Sequence, residues 1–462
     1  MRLLSRLALL GYSAALTAAQ PLLRRKLRRR ARVEAGYGEA VEERFGYYEP
    51  AGWSRPTEAE AAAAAGPTVW LHAVSLGETR AAAVLVAALR TRLPGMRLLL
   101  TNGTATGRAE GRKLLRPGDR QVWQPWDTPQ AVRRFLRAFA PDIGILMETE
   151  VWPNLVAGCV AQGVPLVLAN ARLNTGSLAK SERLRLLARP AYSRLSAVWA
   201  QHADDAARLR SLGAPVQGVF GNLKFDAAPD AALLARGRQR RDAGARPVVL
   251  FASSREGEEA LWIAEFKRKV PAAGAARRPS ATETIADDPS GAFDAQWLVV
   301  PRHPNRFDEV AQLLQAAGLR VARRSQWPHG EAAPPEADVW LGDTVGEMAL
   351  YYGMAHAALL GGSFETLGGQ NLIEAAACGC PVVMGPHTFN FADAAEQAAA
   401  AGAATRVADM GQGVEVALRL VGDPAARQKA AAASTAFAAS HSGASARTAD
   451  AICALLARRN AG

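Results

Sequence analysis

Residues 69–80 read Val-Trp-Leu-His-Ala-Val-Ser-Leu-Gly-Glu-Thr-Arg and lead into the helical run Ala81–Leu93. The first six residues form a mainly apolar run that predicts a buried strand, as expected where helices cover both faces of a parallel sheet. Ser75 and Glu78 have the spacing of a capping box, which marks the start of a helix. The stretch therefore predicts a strand, a turn and a helix, the repeating unit of an α/β fold.

The same alternation continues along the 462-residue chain and predicts two doubly wound, Rossmann-like halves. In the first half we expect strands near 69–74, 98–101, 122–124, 143–147, 165–169, 197–200 and 217–220. In the second half we expect them near 248–252, 297–300, 320–322, 339–341, 357–360 and 381–384. Two such sheets facing each other would form a cleft at the carboxyl ends of their strands, where open α/β sheets bind ligands.

Composition sets the predicted domain boundaries. Residues 34–225 form the first predicted domain and residues 248–462 the second. Residues 226–247 are rich in Ala, Asp and Arg and are the predicted linker. Within the second domain, residues 270–296 are rich in Pro, Gly, Ser and Asp, which predicts a disordered surface insertion.

Residues 1–33 are expected to anchor the protein to a membrane. The uncharged run Leu7–Leu23 has 17 residues, about 26 Å as a helix and just short of the ~30 Å hydrocarbon core. The basic cluster of residues 24–32 follows at once, and it would remain on the cytoplasmic side. A tilted single span and a helix lying in the interface both fit this pattern. A cleaved signal peptide and a helix packed on its own protein also stay open.

Charge and cysteine content exclude several classes of protein. The formal net charge is +12, but residues 1–33 hold nine basic and no acidic side chains. The rest of the chain carries only +3, so a nucleic-acid-binding surface is not indicated. Four cysteines without Cys-x-x-Cys spacing, namely Cys159, Cys378, Cys380 and Cys453, argue against a disulfide scaffold and against structural zinc. A reducing compartment fits this pattern.

The sequence also lacks several motifs of cofactor-dependent and hydrolytic enzymes. H-E-x-x-H, G-x-S-x-G, G-x-G-x-x-G and the P-loop motif are all missing. We therefore predict no metal, dinucleotide or ATP site and no serine nucleophile.

Acidic side chains follow two of the predicted strands and are candidate catalytic groups. Glu78 either satisfies backbone donors at the helix start or acts as a general base. Glu148 and Glu150 follow the strand at 143–147. Two carboxylates so close together repel each other unless one meets a cation or shares a proton. Such an arrangement favours a functional role over a purely structural turn.

Donor-rich turns follow further predicted strands and suit phosphate or carboxylate ligands. They are Gly221–Lys224, Pro301–Phe307, Gly361–Ser363 and Gly368–Glu374. Glycine turns that open helices let backbone N–H groups reach an anion, aided by the helix dipole. Each glycine pair could equally be a tight turn, and the acidic turn Asp343–Met348 could equally be a helix cap.

Together these segments resemble the transferases of 3-deoxy-D-manno-octulosonic acid (Kdo), which move this sugar from CMP-Kdo to the lipid A precursor. The resemblance covers nearly the whole chain. It rests on residues 44–46, 72–78, 101–107, 148–154, 170–173, 221–226, 300–307, 343–347, 361–363, 368–374 and 385–391. It implies the GT-B fold, which agrees with the strand pattern, and an inverting, metal-independent reaction at the cytoplasmic face of the inner membrane.

The resemblance also implies roles for residues in both halves. Glu78 would be the catalytic base, and Glu148, Glu150 and Lys224 would supply further catalytic groups. The CMP-sugar would contact Pro301, Arg302, Gly346, Glu347, Met348, Gly362, Ser363, Asn371, Leu372, Ile373 and Glu374.

Two positions depart from the family pattern. Gln370 stands where the family usually has His, and Ser254-Arg255 replaces the usual Thr-His. We expect altered contacts rather than lost activity, because Gln still donates hydrogen bonds and Arg still carries charge.

Two competing interpretations of the sequence stay open at this stage. A GT-B enzyme that uses a UDP-sugar, or an epimerase of that fold, would need room for a second phosphate. A non-catalytic membrane-surface scaffold would leave unexplained the density of charged residues and glycine at strand-to-helix turns.

Overall fold

The computed structural model describes residues 3–49, 66–226, 228–269, 295–327, 334 and 336–461, and the strands in these ranges form two seven-stranded parallel sheets. The sheets lie in separate units. Unit 1 comprises Met1–Ala227 and His441–Gly462, and unit 2 comprises Ala228–Ser440. The prediction of two parallel α/β halves is confirmed.

The sheet of unit 1 has the strand order β3-β2-β1-β4-β5-β6-β7. Its strands are β1 Thr68–His72, β2 Arg97–Asn102, β3 Arg120–Trp123, β4 Ile143–Met147, β5 Leu166–Ala171, β6 Ala197–Ala200 and β7 Val216–Val219. All residues of β1 and β4 are buried, as expected for strands covered by helices on both faces. Because β1 pairs with β4 in parallel, the turns that carry Glu78 and Glu148 leave the same edge of the sheet.

Helices of unit 1 cover both faces of this sheet. They are α1 Leu3–Ala18, α2 Gln20–Val33, α3 Leu76–Arg92, α4 Ala105–Arg112, α5 Pro129–Phe139, α6 Pro153–Ala161, α7 Thr175–Arg183, α8 Arg185–Tyr192, α9 Ala203–Ser211 and α18 Ala444–Ala461. Helix α3 buries a stripe of apolar residues that includes Leu85 and Leu89.

The N-terminal helix α1 packs on unit 1, against α6 and α8. Its buried residues are Ser5 and Ser13, whereas its leucines Leu4, Leu7 and Leu10 are more than half exposed. Among the residues described, no helix combines the length and apolarity that crossing a membrane requires. The predicted transmembrane span is therefore not supported.

The sheet of unit 2 has the strand order β10-β11-β9-β8-β12-β13-β14. Its strands are β8 Val248–Ser254, β9 Gln296–Pro301, β10 Val321–Arg323, β11 Val339–Leu341, β12 Ala357–Leu360, β13 Val382–Met384 and β14 Ala404–Arg406. Its helices are α10 Ala231–Ala243, α11 Glu258–Lys269, α12 Phe307–Ala316, α13 Met348–Met354, α14 Leu372–Ala377, α15 Ala392–Ala400, α16 Met410–Gly422 and α17 Pro424–His441. The sequence pattern does not predict edge strand β14, because Ala-Thr-Arg carries no apolar run.

The predicted boundaries 226–247 and 248–462 need correction. Helix α10 of the predicted linker packs closely on α13: a Cβ on Gly237 would lie 2.3 Å from the Leu350 carbonyl oxygen. Residues 228–247 therefore belong to unit 2.

At the other end of the chain, α18 belongs to unit 1 and packs on α3. The Asp226 carboxylate accepts hydrogen bonds from the backbone N–H groups of Gly443 and Ser445, both at 2.5 Å, and so caps the start of α18. Of the predicted insertion 270–296, residues 270–294 lie outside the described residues, and Gln296 begins β9.

Candidate active site

Glu78 lies in the first turn of α3 and forms the predicted capping box. Its backbone N–H donates to Ser75 Oγ at 3.3 Å. Its carboxylate accepts from Ser75 Oγ at 2.8 Å and from the Val74 N–H at 2.9 Å. These contacts fix the orientation of the carboxylate at the carboxyl end of β1. The capping role predicted for Glu78 is therefore confirmed, and its catalytic role stays a prediction.

Glu148 follows β4 in a left-handed backbone conformation, with φ of 56°. Its N–H donates to the Ala169 carbonyl at 3.1 Å, and its own carbonyl accepts from the Arg172 N–H at 3.2 Å. The Glu148 carboxylate lies 4.0 Å from Lys224 Nζ. Burial raises the pKa of this carboxyl and Glu78 adds to the rise, whereas Lys224 and Arg172 oppose it. A left-handed glutamate is a strained conformation, of the kind that concentrates at functional sites.

Glu150 accepts a hydrogen bond from Trp152 Nε1 at 3.0 Å. Burial raises the pKa of its carboxyl, the Trp152 contact lowers it, and the charges of Glu78 and Glu148 raise it further. The structure thus brings the three predicted acidic residues into one electrostatically coupled group. Lys224 and Arg172 are the cations whose charges act on Glu148.

Asn170 supports the turn that carries Lys224, although the sequence analysis assigned it no role. It is buried at the end of β5 with φ of 52°. Its Oδ1 accepts from the Leu223 N–H at 3.0 Å, so it holds the 3-10 turn Leu223–Asp226 that carries Lys224. Among the described residues its Nδ2 has no hydrogen-bond partner. The signal in the sequence was a polar residue at the end of a buried strand.

In unit 2, Arg302 follows β9 next to the predicted phosphate-binding turns. Its Nε donates to Gln370 Oε1 at 2.8 Å, and its backbone N–H donates to the Ser254 carbonyl at 3.0 Å. Burial lowers the pKa of neighbouring His303, and Arg255 and Arg302 lower it further. These residues form an electropositive group suited to an anion. Pro301 ends β9 directly before it.

The Gly346-Glu347-Met348 segment leads into α13. Gly346 has φ of 89°, which favours glycine. The Glu347 carboxylate accepts from Arg324 Nη2 at 2.8 Å and from Thr344 Oγ1 at 2.5 Å. Glu347 is therefore already oriented by two donors.

Gly362 and Ser363 form bonds within the protein in this structure. The Gly362 N–H donates to Glu258 Oε2 at 2.7 Å. The Ser363 hydroxyl is fully buried, donates to the Leu360 carbonyl at 2.5 Å and accepts from the Gly385 N–H at 2.8 Å. Contacts of these two groups with a CMP-sugar stay a prediction that requires the bonds to rearrange.

The segment Asn371–Glu374 forms the start of α14. Asn371 caps it, with Oδ1 accepting from the Ile373 N–H at 3.1 Å. Leu372 and Ile373 are buried, so any contact they make with a ligand would come from the backbone. Among the residues described, no group of three or more His, Cys, Asp and Glu side chains is arranged to hold a metal ion.

The fold is shared with a known glycosyltransferase structure. The crystal structure of a glycosyltransferase from Rickettsia africae is 11% identical with a TM-score of 0.53, over 84% of this chain and 98% of that one. At this identity the likeness shows the fold alone. The two parallel-sheet units thus have a GT-B-like architecture.

Sequence relatives define the family. A family model described as 3-deoxy-D-manno-octulosonic-acid transferase (kdotransferase) matches residues 39–227. The 3-deoxy-D-manno-octulosonic acid transferase of Bordetella pertussis is 46% identical over 447 residues, 96% of this chain and 98% of that protein. The enzyme of the same name from Haemophilus influenzae is 30% identical over 384 residues, 82% of each chain. The chain belongs to the Kdo transferase family.

The raised pKa of Glu150 makes a prediction about stability. Because the folded protein binds this proton more tightly than the unfolded chain, the contribution of Glu150 to stability is present below its ordinary pKa of 4.5. It is lost as the pH rises through the folded-state pKa. Glu150→Gln, which cannot ionise, should therefore have a higher Tm than the wild type at pH 7.5.

Thermal unfolding of the wild type and the variant at pH 4 and pH 7.5 checks this. The difference in Tm should vanish at pH 4. The comparison at pH 4 is the internal control, because below pH 4.5 the wild-type carboxyl is mostly protonated and then differs little in charge from the amide. A lower Tm for Glu150→Gln than for the wild type at pH 7.5 would contradict the conclusion that burial of the ionised Glu150 carboxylate destabilises the fold.

Proposed function

We propose that this protein transfers Kdo from CMP-Kdo to the lipid A precursor, with inversion, in lipopolysaccharide biosynthesis. The observation that carries the proposal is 46% identity to the Bordetella pertussis Kdo transferase over 96% of the chain. Incubation with CMP-Kdo and the lipid A precursor, followed by mass spectrometry of the lipid, tests it directly. Competition for binding between CMP and UDP tests the nucleotide preference.

In the proposed reaction the acceptor hydroxyl attacks the anomeric carbon of Kdo while the bond from that carbon to the CMP phosphate oxygen breaks. Glu78 takes the hydroxyl proton as the new bond forms. What supports Glu78 as base is its place at the carboxyl end of β1, where Val74 and Ser75 orient its carboxylate. A positioned general base is typically worth about 10²–10⁴ in rate.

The leaving CMP carries growing negative charge on one phosphoryl group, which suits the electropositive group around Arg302. The guanidinium of Arg302 is held by Gln370 at 2.8 Å. Cationic donors fixed in advance stabilise such charge without reorganising during the reaction. In unit 1, the cation Lys224 lies 4.0 Å from the Glu148 carboxylate.

We further propose that α1 and α2 attach the enzyme to the cytoplasmic face of the inner membrane, with α1 lying in the interface. The support is the orientation of α1, whose serines face the protein while Leu3, Leu4, Leu7 and Leu10 are 54–72% exposed. A surface helix in water normally buries its apolar side chains and exposes its polar ones, and α1 does the opposite. The basic residues of α2 would add attraction to anionic lipid.

Glu78→Gln should lower turnover at least about 100-fold while the protein stays folded, since the amide oxygen still accepts a hydrogen bond at the helix start. Initial rates of Kdo transfer and thermal unfolding measure the two effects. The matched control is Asn174→Ala, which removes the N-cap of α7, where Asn174 Oδ1 accepts from the Ser177 N–H at 2.8 Å, and leaves the contacts of Glu78 in place. It should cost about 1 kcal/mol of stability and leave most of the rate. A near-normal rate for Glu78→Gln would leave Glu78 with its capping role alone.

Arg302→Ala should weaken binding of the CMP-sugar by about 1.5–3 kcal/mol, the range for a hydrogen bond to a charged group. Titration calorimetry with CMP measures this. In the matched control, Gln370→Ala, the cation remains and loses one hydrogen bond, so the effect should be smaller. Unchanged CMP affinity in Arg302→Ala would contradict the proposal that unit 2 binds the CMP-sugar through Arg302.

The double variant Leu7→Ser/Leu10→Ser should bind vesicles that contain anionic phospholipid more than tenfold less tightly than the wild type. Each exposed leucine would lose about 1.5–3 kcal/mol of burial in the interface. Co-sedimentation with vesicles measures the affinity, and Leu313→Ser, on α12 of unit 2 and 37% exposed, is the control. Equal sedimentation of the double variant and the wild type would refute interfacial attachment through α1.

A further inference from the structure

Helix α6 begins directly after the segment that carries Glu148 and Glu150, and an outside residue caps it. Its N-cap, Trp152, makes no side-chain capping hydrogen bond. Asp127 supplies the missing acceptor: its carboxylate accepts from the N–H groups of Asn154 at 3.0 Å and Leu155 at 2.7 Å. Asn154 Nδ2 in turn donates to the Asp127 carbonyl at 2.7 Å. We call these two residues the Asp127–Asn154 cap.

Helix α1 reaches the same two residues. The Tyr12 side chain interacts with the Asp127 carboxylate: burial raises the pKa of the Tyr12 hydroxyl, and Asp127 raises it further. The Ser13 hydroxyl lies 2.9 Å from Asn154 Oδ1 and 2.7 Å from the Leu9 carbonyl of its own helix. Ser13, Asp127 and Asn154 are all more than nine-tenths buried. Because water is excluded there, each lost donor leaves an acceptor unsatisfied.

The cap is close to the acidic group along the chain. Asn154 lies two residues after Trp152, and Trp152 Nε1 donates to Glu150 Oε2 at 3.0 Å. A shift in the position of the first turn of α6 therefore moves the Trp152 indole, which donates the hydrogen bond to Glu150. Burial raises the pKa of Asp127 to about 6, while the Asn154 and Leu155 N–H groups and the Tyr12 side chain oppose the rise. The ionised form that caps α6 thus relies on those polar neighbours, one of which is Tyr12.

We propose that Tyr12 and Ser13 are positioning residues for Glu150, acting through the Asp127–Asn154 cap. The inference rests on the proposed function, because it concerns the acidic group of that reaction. It gives the N-terminal helix a second task beside attachment. The position of α1 against the Asp127–Asn154 cap determines the geometry of residues 148–152. A displacement of α1 therefore lowers the catalytic rate.

The test uses the full-length chain with Tyr12→Phe, Ser13→Ala and the double variant. Tyr12→Phe removes one oxygen, and Ser13→Ala removes the donor to Asn154. Thr17→Ala is the matched control, because the Thr17 hydroxyl donates at 2.7 Å to the Ser13 carbonyl, within its own helix. Steady-state kinetics with detergent-dispersed acceptor separate kcat from KM, and hydrogen–deuterium exchange reports on residues 148–155.

We expect the double variant to lower kcat about tenfold, with the KM for CMP-Kdo and vesicle binding within twofold of the wild type. Exchange at residues 148–155 should rise at least tenfold in the double variant and stay unchanged in Thr17→Ala. Wild-type kcat together with wild-type exchange in the double variant would overturn the proposal. So would a loss seen only with acceptor in vesicles, which would reflect attachment alone.

The conservative single variant keeps the test decisive if the double variant unfolds. Tyr12→Phe alone should then show a smaller loss of the same kind, about threefold in kcat, and wild-type values would overturn the inference. Failure of the proposed function looks different. The wild type would then transfer no Kdo, while the exchange experiment would still report whether α1 holds the segment.

Discussion

Backbone N–H groups at helix starts and strand-to-helix turns need acceptors, and carboxylates from elsewhere in the same unit provide them. Asp127 serves α6, Asp226 serves α18, and Glu258 serves the Gly362 turn. A carboxylate suits this place because helix N-termini attract negative charge. An N–H left without an acceptor in such a site would cost about 1–3 kcal/mol. The positions of these turns, and so of the candidate active site, depend on this pairing.

Glu148 and Glu150 stand apart from that pattern. Their carboxylates face a lysine at 4.0 Å and an indole N–H at 3.0 Å, whereas Asp127 accepts two backbone N–H groups. Burial raises the pKa of both, as it does that of Asp127, so ionising them at neutral pH works against stability. Acidic residues kept in so unfavourable a place are typical of a site whose geometry serves chemistry. The left-handed backbone at Glu148 fits the same interpretation.

Much of this architecture could be predicted from local sequence. Apolar runs such as Ile143–Met147 located thirteen of the fourteen strands of the described residues, and Ser75 with Glu78 predicted the cap at α3. What the sequence could not show depends on contacts between distant residues. Asp127 stands in an ordinary turn before α5, and only the fold brings it to Asn154. The return of α18 to unit 1 depends likewise on Asp226, more than 200 positions away.

The departure at Gln370 can be explained in the same physical terms. A histidine at this position would accept from Arg302 only through an unprotonated ring nitrogen, and its protonated form would repel the guanidinium. The amide oxygen of Gln370 accepts from Arg302 Nε at 2.8 Å without changing charge with pH. The pKa of His303 is already lowered by burial and by Arg255 and Arg302, so a second titratable ring would add competing charge. Glutamine therefore keeps Arg302 oriented without adding another titratable group to the turn.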